Sequence, residues 1–245
     1  MGRASWAAIL AAFLVGCVDF GTLSPSADAG PTATCDGGAC PDATSKVPPD
    51  TVDANVPCAP GDVSSFAPTW HPPTGKFQNK CTNSQVDNYV ACLFSQAAND
   101  ASCRDYLQRP DNAVCGQCLM SKLDDAAYGP LIRLGPDAIT VNVEGCVALT
   151  TGDATAASCA AKAQALGQCR AAACVPYCPL TDHASLLKYN DCEAASDKSS
   201  CKSYVTASAC IAPLLDVNGP SAGCASGPTP LAAATAVARF FCAAP

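Results

Sequence analysis

A short motif near the C-terminus contains a serine that could act as a nucleophile. Gly219-Pro-Ser221-Ala-Gly223 matches the G-x-S-x-G pattern of serine hydrolases. In those enzymes the serine lies on a sharp turn between a strand and a helix, beside a histidine base. Here loop-forming residues flank the motif on both sides, and His71 and His183 are the only histidines in the chain. The pattern therefore favours a Gly/Pro/Ser loop over a catalytic serine.

Closely spaced cysteines offer two further chemistries. Cys115-Gly-Gln-Cys118 is a C-x-x-C motif, which in redox proteins opens a helix after a buried strand. The residues before Cys115 do not predict such a strand. Cys174-Val-Pro-Tyr-Cys178 could join the first pair as a zinc site on paper, but an oxidising compartment favours disulfides over thiolates. We therefore expect no catalytic residue, no metal and no cofactor.

The first sixteen residues have the pattern of an export signal. Met1 to Arg3 form a short charged start, and residues 4–15 are almost wholly apolar. As a helix this run would span about 18 Å, which is too short for a hydrocarbon core of about 30 Å. A short apolar run that ends in small residues is typical of a secretory signal peptide.

The end of that run is similar to a bacterial lipoprotein processing site. Leu14-Val15-Gly16-Cys17 resembles the lipobox, which implies cleavage before Cys17 and lipidation of that cysteine. Three acyl chains exceed the two signals that stable membrane anchoring needs. Val18 stands where the inner-membrane retention signal has aspartate, which favours the outer membrane. The alternative is an ordinary secretory signal in which Cys17 occurs by chance.

The charge of the mature chain argues against nucleic-acid binding. Removal of residues 1–16 takes away one arginine, which leaves 13 basic and 21 acidic residues and a net charge of −8. Such a surface repels a phosphate backbone, and the chain has no basic cluster to overcome that repulsion. The expected partners are the membrane, through the lipid anchor, and an envelope or extracellular protein or glycan.

The core is poor in large side chains and rich in cysteine. Leu, Ile, Val and Phe together make only 44 of 245 residues, whereas there are 19 cysteines. Exported proteins commonly offset a weak core with disulfides. If Cys17 is lipidated, 18 cysteines remain, an even number that suits a fully oxidised framework.

Residues 17–60 have the composition of a disordered tether. They are rich in Pro, Asp, Ala and Gly and contain a single aromatic residue, Phe20. A segment of this kind buries too little apolar surface to offset the entropy of ordering. Because Cys35 and Cys40 are far from other cysteines on average, we expect them to bond to each other.

Residues 61–245 are predicted to form a mainly α, disulfide-stapled domain with a small β-hairpin. Thr82 and Gln85 fit a capping box before an apolar helix face, and Thr229-Pro230 fits a helix start. The first predicted helix follows Thr82. Further helices are predicted over about 101–108, from 111 to about 128, from 154 onward, over 183–196 and 198–211, and from Pro230 to Cys242. The hairpin is predicted at 131–134 and 139–143.

Evenly spaced cysteines suggest two helical hairpins. Cys92 and Cys103 flank one predicted turn, and Cys192 and Cys201 flank another. Residues at similar distances from a turn lie level with each other, which can bring Cα atoms within the roughly 4.4–6.8 Å that a disulfide requires. We therefore predict Cys92–Cys103 and Cys192–Cys201, with another bridge that ties Cys242 back to the domain.

Two aromatic residues precede the first helix. Phe66 and Trp70 could form a binding patch, but such residues more often pin a leading segment onto the core. We favour the pinning role.

The N-terminal sixty residues resemble the cell-surface lipoproteins of myxobacteria-like bacteria. The lipobox and the tether phrases DAG, DGG and VDAN carry this resemblance, which does not extend beyond residue 60. It implies a location at the cell envelope and supplies no catalytic residue. The favoured function is a surface-displayed binding or structural module. The alternative is an exported enzyme, a hydrolase or a thiol–disulfide redox protein, which an acid pair or Ser/His pair in a deep pocket would favour.

Overall fold

The computed structural model describes residues 16–17, 58–94, 101–134, 138–179, 183–227 and 229–245. Within these residues the domain is mainly helical, with a small sheet and eight disulfides, which confirms the predicted fold class. In this part of the chain no helix combines the length and apolarity needed to cross a bilayer. Residues 18–57 of the predicted tether, with Cys35 and Cys40, lie outside the described residues, so the pairing of these two cysteines stays a prediction.

The domain consists of a small sheet and the helices that follow or flank its strands in sequence. The sheet has the strand order β1-β4-β3-β2, in which β4 pairs antiparallel with β1 and β3, and β2 pairs parallel with β3. The strands are β1 Gly16–Cys17, β2 Met120–Lys122, β3 Leu131–Arg133 and β4 Ala138–Val141. The helices are α1 Asn83–Phe94, α2 Ala101–Gln108, α3 Ala113–Leu119, α4 Val143–Thr151, α5 Cys159–Cys174, α6 His183–Lys198, α7 Lys202–Ser208, α8 Ile211–Leu215 and α9 Pro230–Cys242.

Two helices begin where local sequence signals predict. The Thr82 hydroxyl accepts a hydrogen bond from the Gln85 amide at 3.1 Å, and the Gln85 side chain accepts one from the Thr82 amide at 2.9 Å. This reciprocal pair is the predicted capping box of α1. Thr229 likewise caps α9, because its hydroxyl accepts from the Ala232 amide at 3.2 Å. The predicted helix from Pro230 to Cys242 is confirmed.

The prediction of a helix from 111 to about 128 is wrong beyond Leu119. Met120 takes an extended conformation, and residues 120–122 form β2 against β3. The predicted hairpin of β3 and β4 is confirmed, with Ile132 opposite Thr140. The parallel pairing of β2 with β3 is a tertiary contact, which local helix propensity cannot anticipate.

The predicted helix over 198–211 is confirmed only over Lys202–Ser208. Helix α6 continues to Lys198, turns follow at 199–201 and 209–210, and a separate short helix, α8, begins at Ile211. The sequence does not predict helix α4, because Ile139, Val141 and Val143 alternate as in a strand. Asn142 starts it by accepting a hydrogen bond from the Gly145 amide at 2.8 Å.

The described residues form two clusters of buried side chains. The first is formed by residues of the sheet and of helices α1, α3, α4 and α9. It includes the fully buried side chains of Leu119, Leu131, Val147, Val237 and Phe241. The second joins α5, α6 and α7 and consists mainly of disulfide cysteines around Tyr189. The second cluster therefore depends on covalent cross-links, because large apolar side chains are scarce there.

All sixteen cysteines from Cys58 to Cys242 are in disulfides. The Cα–Cα distances run from 4.8 to 6.0 Å. The predicted Cys92–Cys103 bridge is confirmed at 5.3 Å, and Cys242 is tied back, to Cys118. The other bridges are Cys58–Cys178, Cys81–Cys115, Cys146–Cys224, Cys159–Cys210, Cys169–Cys201 and Cys174–Cys192.

The predicted Cys192–Cys201 bridge is wrong. Cys192 bonds to Cys174 and Cys201 bonds to Cys169. Both partners lie on α5, which packs against α6 and α7 at once. Both cysteines of the expected hairpin therefore form disulfides with a third helix, α5, instead of with each other.

The segment before α1 is fastened to the domain by its aromatic residues. The Trp70 indole donates a hydrogen bond to the Ala154 carbonyl at 2.9 Å, and its ring packs on the first cluster. Phe66 meets Tyr204 edge to face, with ring centroids 5.8 Å apart. The predicted pinning role of Phe66 and Trp70 is therefore confirmed.

Candidate functional site

Ser221 is a structural residue. Its side chain is 0% exposed, and its hydroxyl lies 2.6 Å from the hydroxyl of Thr150 on α4. The chain before it forms turns, and a short 3-10 helix, Ala222–Ala225, follows. His71 is engaged elsewhere, because its Nδ1 lies 2.7 Å from the Asp125 carbonyl oxygen and its ring stacks on Tyr128. The loop interpretation of the G-x-S-x-G motif agrees with this geometry.

The C-x-x-C motif does not close on itself. Cys115 bonds to Cys81 in front of α1, whereas Cys118 bonds to Cys242 at the end of α9. The sulfurs of Cys58, Cys178 and Cys192 lie within 4.8 Å of one another, but they belong to two neighbouring disulfides. Disulfide sulfurs are not the thiolates that bind zinc or attack substrates.

One concave feature of the described residues is a mainly apolar cavity of about 340 Å³. It lies between α4, α5, the α7–α8 region and the beginning of α9. Exposed residues at its edge, Ala209, Ala212 and Pro230, mark the side that opens to solvent. The inner wall is formed by Phe94, Val141, Val143, Ala163, Leu166, Ile211, Leu215 and Ala233, and its charged residues are Glu144 and Arg170.

Helix α5 borders this cavity and a second one. Ala163, Leu166 and Arg170 recur at the spacing of one helix face and line the larger cavity. The adjacent face of α5, with Gln164, Gly167, Gln168 and Ala171, lines a second cavity of about 130 Å³. A Cβ atom built at Gly167 would meet no atom within 4 Å, so this glycine leaves real space in the wall.

The two cavities meet at Val141 and Glu144, which line both. Glu144 lies in the first turn of α4, and Asn142 fixes the position of that turn. Besides accepting from Gly145, the buried Asn142 amide donates to the Gly129 carbonyl at 2.9 Å. Because Asn142 is 0% exposed and bonded on both sides, it holds α4, and with it Glu144, against the sheet.

Arg170 is paired with a carboxylate at the wall of the larger cavity. Its Nε and Nη2 atoms donate to the two carboxylate oxygens of Asp197 at 2.8 and 2.6 Å. The side chains are only 11% and 23% exposed. Such bidentate pairs are the stronger kind of charge-assisted hydrogen bond. Glu144 and Glu193 also act electrostatically on the same guanidinium.

Three carboxyl groups thus face one guanidinium, and two of them have shifted pKa values. Burial raises the pKa of Glu144, with the charge of Arg170 opposing this shift. Burial likewise raises the pKa of Glu193, against the charge of Arg170 and a hydrogen bond from Tyr189. Desolvation opposes the charge of Arg170, but Asp197 and the two glutamates outweigh it and raise the pKa of the guanidinium. The site is therefore acidic, and it is shielded from water.

The smaller cavity has an acidic lining because two of these carboxyl groups border it. Glu144 and Glu193 both line that cavity, together with the aromatic side chains of Tyr128 and Tyr189. We call Glu144, Arg170, Glu193 and Asp197 the charged junction. Its residues border both cavities: Glu144 and Arg170 line the larger, apolar one, and Glu144 and Glu193 line the smaller one, which also has aromatic side chains.

None of these four residues was among the candidate sites from the sequence. They come from α4, α5 and α6, and no short spacing links them. One signal was present: Arg170 follows Leu166 by four residues and Ala163 by seven, so it lies on an otherwise apolar helix face. A charged residue on such a face needs a partner in the fold.

Comparisons with protein-family models, with curated proteins and with solved structures each return no match for this chain. The interpretation of the cavities therefore rests on their geometry and chemistry.

Proposed function

We propose that this protein is an exported, lipid-anchored binding module of the cell envelope that takes a small amphipathic molecule into its larger cavity. The observation that carries the proposal is the apolar chamber of about 340 Å³ with a charged junction at its inner wall. Ligand sites in proteins are typically concave, about 300–1,000 Å³ in volume, and mostly apolar with a few polar groups. The chamber matches each of these properties.

The disulfide framework supports a binding role. Cys146–Cys224 and Cys159–Cys210 cross-link elements that surround the chamber, namely α4, α5 and the segments on either side of α8. Cross-links of this kind limit how far the walls can collapse when the chamber is empty. A preformed cavity loses less conformational entropy on binding than one that must open first.

An exported hydrolase is the second candidate, and one observation favours it. Glu144 and Glu193 line the same cavity, and a carboxyl pair is the catalytic arrangement of most glycoside hydrolases. That cavity measures only about 130 Å³, below the usual size of a ligand site. Release of product from a panel of chromogenic glycosides, lost in Glu193→Gln, would favour the enzyme over the binding module.

Filling the larger cavity should abolish uptake of an apolar ligand. Ala163 is 7% exposed and lies in the chamber wall, so the leucine side chain of Ala163→Leu would occupy the chamber. We expect binding of N-phenyl-1-naphthylamine, measured by its fluorescence, to weaken at least about tenfold, the effect of losing roughly 1.4 kcal/mol of contact. The unfolding free energy should change by less than about 1.5 kcal/mol, because the leucine enters existing space.

The matched control is Ala172→Leu. Position 172 is nine residues further along α5, which places it about 180° around the helix from position 163. Ala172 is half-buried and lines neither cavity. Dye binding should be retained in this variant. Equal binding by Ala163→Leu and the wild type, or equal loss in both variants, would argue against the chamber as the site.

The anchor has an independent test. If Cys17 is the lipidated residue, the mature protein should have the intact mass of residues 17–245 plus its acyl groups. Cys17→Ser should block processing at this position and leave a longer, unlipidated precursor. A soluble wild-type product without acyl groups would contradict the anchoring part of the proposal.

A further inference from the structure

The charged junction has an excess of acid that a ligand could balance. Asp197 binds two nitrogen atoms of the Arg170 guanidinium, and Glu144 and Glu193, which line the cavities beside it, act on the same charge electrostatically. The charge of Arg170 is therefore satisfied, whereas the carboxyl groups of Glu144 and Glu193 face cavities. A ligand carboxylate would meet net repulsion at this place, and a ligand cation would meet attraction.

The smaller cavity suits a compact cation better than a long polar chain. Its volume is about 130 Å³, and its lining includes two tyrosine rings, Tyr128 and Tyr189, beside the two glutamates. Aromatic faces attract ammonium groups, and this attraction strengthens when water is excluded. The larger cavity has almost no polar lining besides Glu144, Arg170 and Ser208, so it suits an apolar body.

From this arrangement we infer that the cavities together bind a small amphipathic amine, with its ammonium group between Glu144 and Glu193 and its apolar body in the larger chamber. This inference rests on the proposed ligand-binding function and specifies its ligand class. Val141 and Glu144, which border both cavities, mark where the two parts of the ligand would join.

The test uses the complete mature chain with its disulfides formed. The chain is exported with an ordinary secretory signal and carries Cys17→Ser, so it is not lipidated and needs no detergent. Binding of n-octylamine, 1-octanol and octanoate is measured by calorimetry at neutral pH. These probes share one apolar chain and differ in head group. We expect octylamine to bind at least about tenfold more tightly than octanol, the size of one charge-assisted hydrogen bond, and octanoate to bind more weakly than octanol.

The variant for this test is Glu144→Gln combined with Glu193→Gln. Glutamine keeps the shape of glutamate without its charge, and removal of charges that burial disfavours should leave the fold intact. The double variant should lose the preference for octylamine, at least about tenfold, and keep its affinity for octanol. Asp87→Asn is the control, because Asp87 is an acid of α1 that pairs with Arg239 outside both cavities.

The pH dependence adds a second readout. The charged and titratable groups that line the cavities or pair with their lining are Glu144, Arg170, Glu193, Asp197, Tyr128 and Tyr189. His71 stacks on Tyr128, and Asp124 and Asp125 act electrostatically on the same tyrosine. Because burial raises the pKa of both glutamates, they should take up protons at a pH where an exposed glutamate is still ionised. Octylamine stays protonated throughout, so its binding should weaken on acidification from about pH 7.5 to about pH 5. Octanol binding should not change.

The outcomes separate this inference from the function on which it rests. If octanol and octylamine bind equally well and the glutamate variant changes neither, the amine proposal is wrong while the cavity remains a ligand site. If octanoate binds best, the ligand is an acid and the amine proposal is also wrong. If none of the three probes binds the wild-type protein, the binding function itself fails.

Discussion

With all disulfides reduced, the domain should fail to hold its helical structure at 25 °C. Each native bridge of a small exported domain contributes about 2–5 kcal/mol to stability. Eight bridges are present between Cys58 and Cys242, whereas the whole stability of a typical domain is only about 5–15 kcal/mol. A core with so few large apolar side chains has no reserve to offset that loss.

The measurement is the circular dichroism signal at 222 nm. The protein is unfolded with reductant and denaturant, and is then diluted into native buffer that contains reductant. The same sample diluted without reductant and allowed to reoxidise serves as the control. A reduced chain that recovers the helical signal of the oxidised protein would show that packing alone specifies the fold, contrary to our account.

Replacing Arg170 with methionine should destabilise the domain by about 3 kcal/mol. The substitution leaves Asp197, Glu144 and Glu193 close together without their shared cation. Breaking a buried ion pair by removal of one partner typically costs about 3–5 kcal/mol, and we take the lower end because Asp197 is 23% exposed. Urea unfolding of the oxidised protein, followed by tyrosine and tryptophan fluorescence, measures the change.

Arg239→Met is the matched control. Arg239 pairs with Asp87 through contacts of 2.6 to 3.0 Å, much like the pair of Arg170, but the side chains of Arg239 and Asp87 are 45% and 44% exposed. Exposed ion pairs contribute about 0–1 kcal/mol. The two arginines therefore differ mainly in burial, and similar losses in both variants would contradict the view that the charged junction is shielded from water.

The loss of unfolding free energy in Arg170→Met should depend on pH. Burial already raises the pKa of Glu144 and Glu193, and loss of the arginine raises both further. Between the ordinary glutamate pKa and these higher values the folded state holds more protons than the unfolded state, so stability falls as pH rises. The loss should thus be smaller at about pH 5 than at about pH 7.5. A loss of stability that is the same at both pH values would mean that the carboxyl groups are solvated.

The parts of the fold that sequence could predict are those determined by near neighbours. Thr82 with Gln85, and Thr229 with Pro230, signal helix starts within four residues, and both were predicted correctly. Cys92 and Cys103 bond across one turn, so their spacing contains the needed information. Strand β2 is also close to its partner, since Met120 pairs with Leu131, but the pairing is parallel and local helix propensity does not reveal it. The bridges of Cys192 and Cys201 depend on α5, a separate helix whose position no local pattern determines.

The candidate site was not predictable for the same reason. Its acids and its arginine are ordinary surface residue types, and they become unusual only when α4, α5 and α6 place them together. The motifs that stood out in the sequence, around Ser221 and Cys115, have structural roles. Chemistry implied by a short motif depends on its surroundings, and here the surroundings are a buried hydroxyl pair and separate disulfides.

Methyl NMR provides the most direct test of the central claim, that an apolar chamber inside the domain binds small molecules. Octanol is titrated into the unlipidated, oxidised mature chain while the methyl resonances are followed. Val141, Leu166 and Ile211 line the chamber and should shift together along one saturable curve. Val217 and Val114 are 80% and 57% exposed and line none of the cavities, so they should not move. Shifts confined to such exposed residues, with the chamber resonances unchanged, would contradict the account.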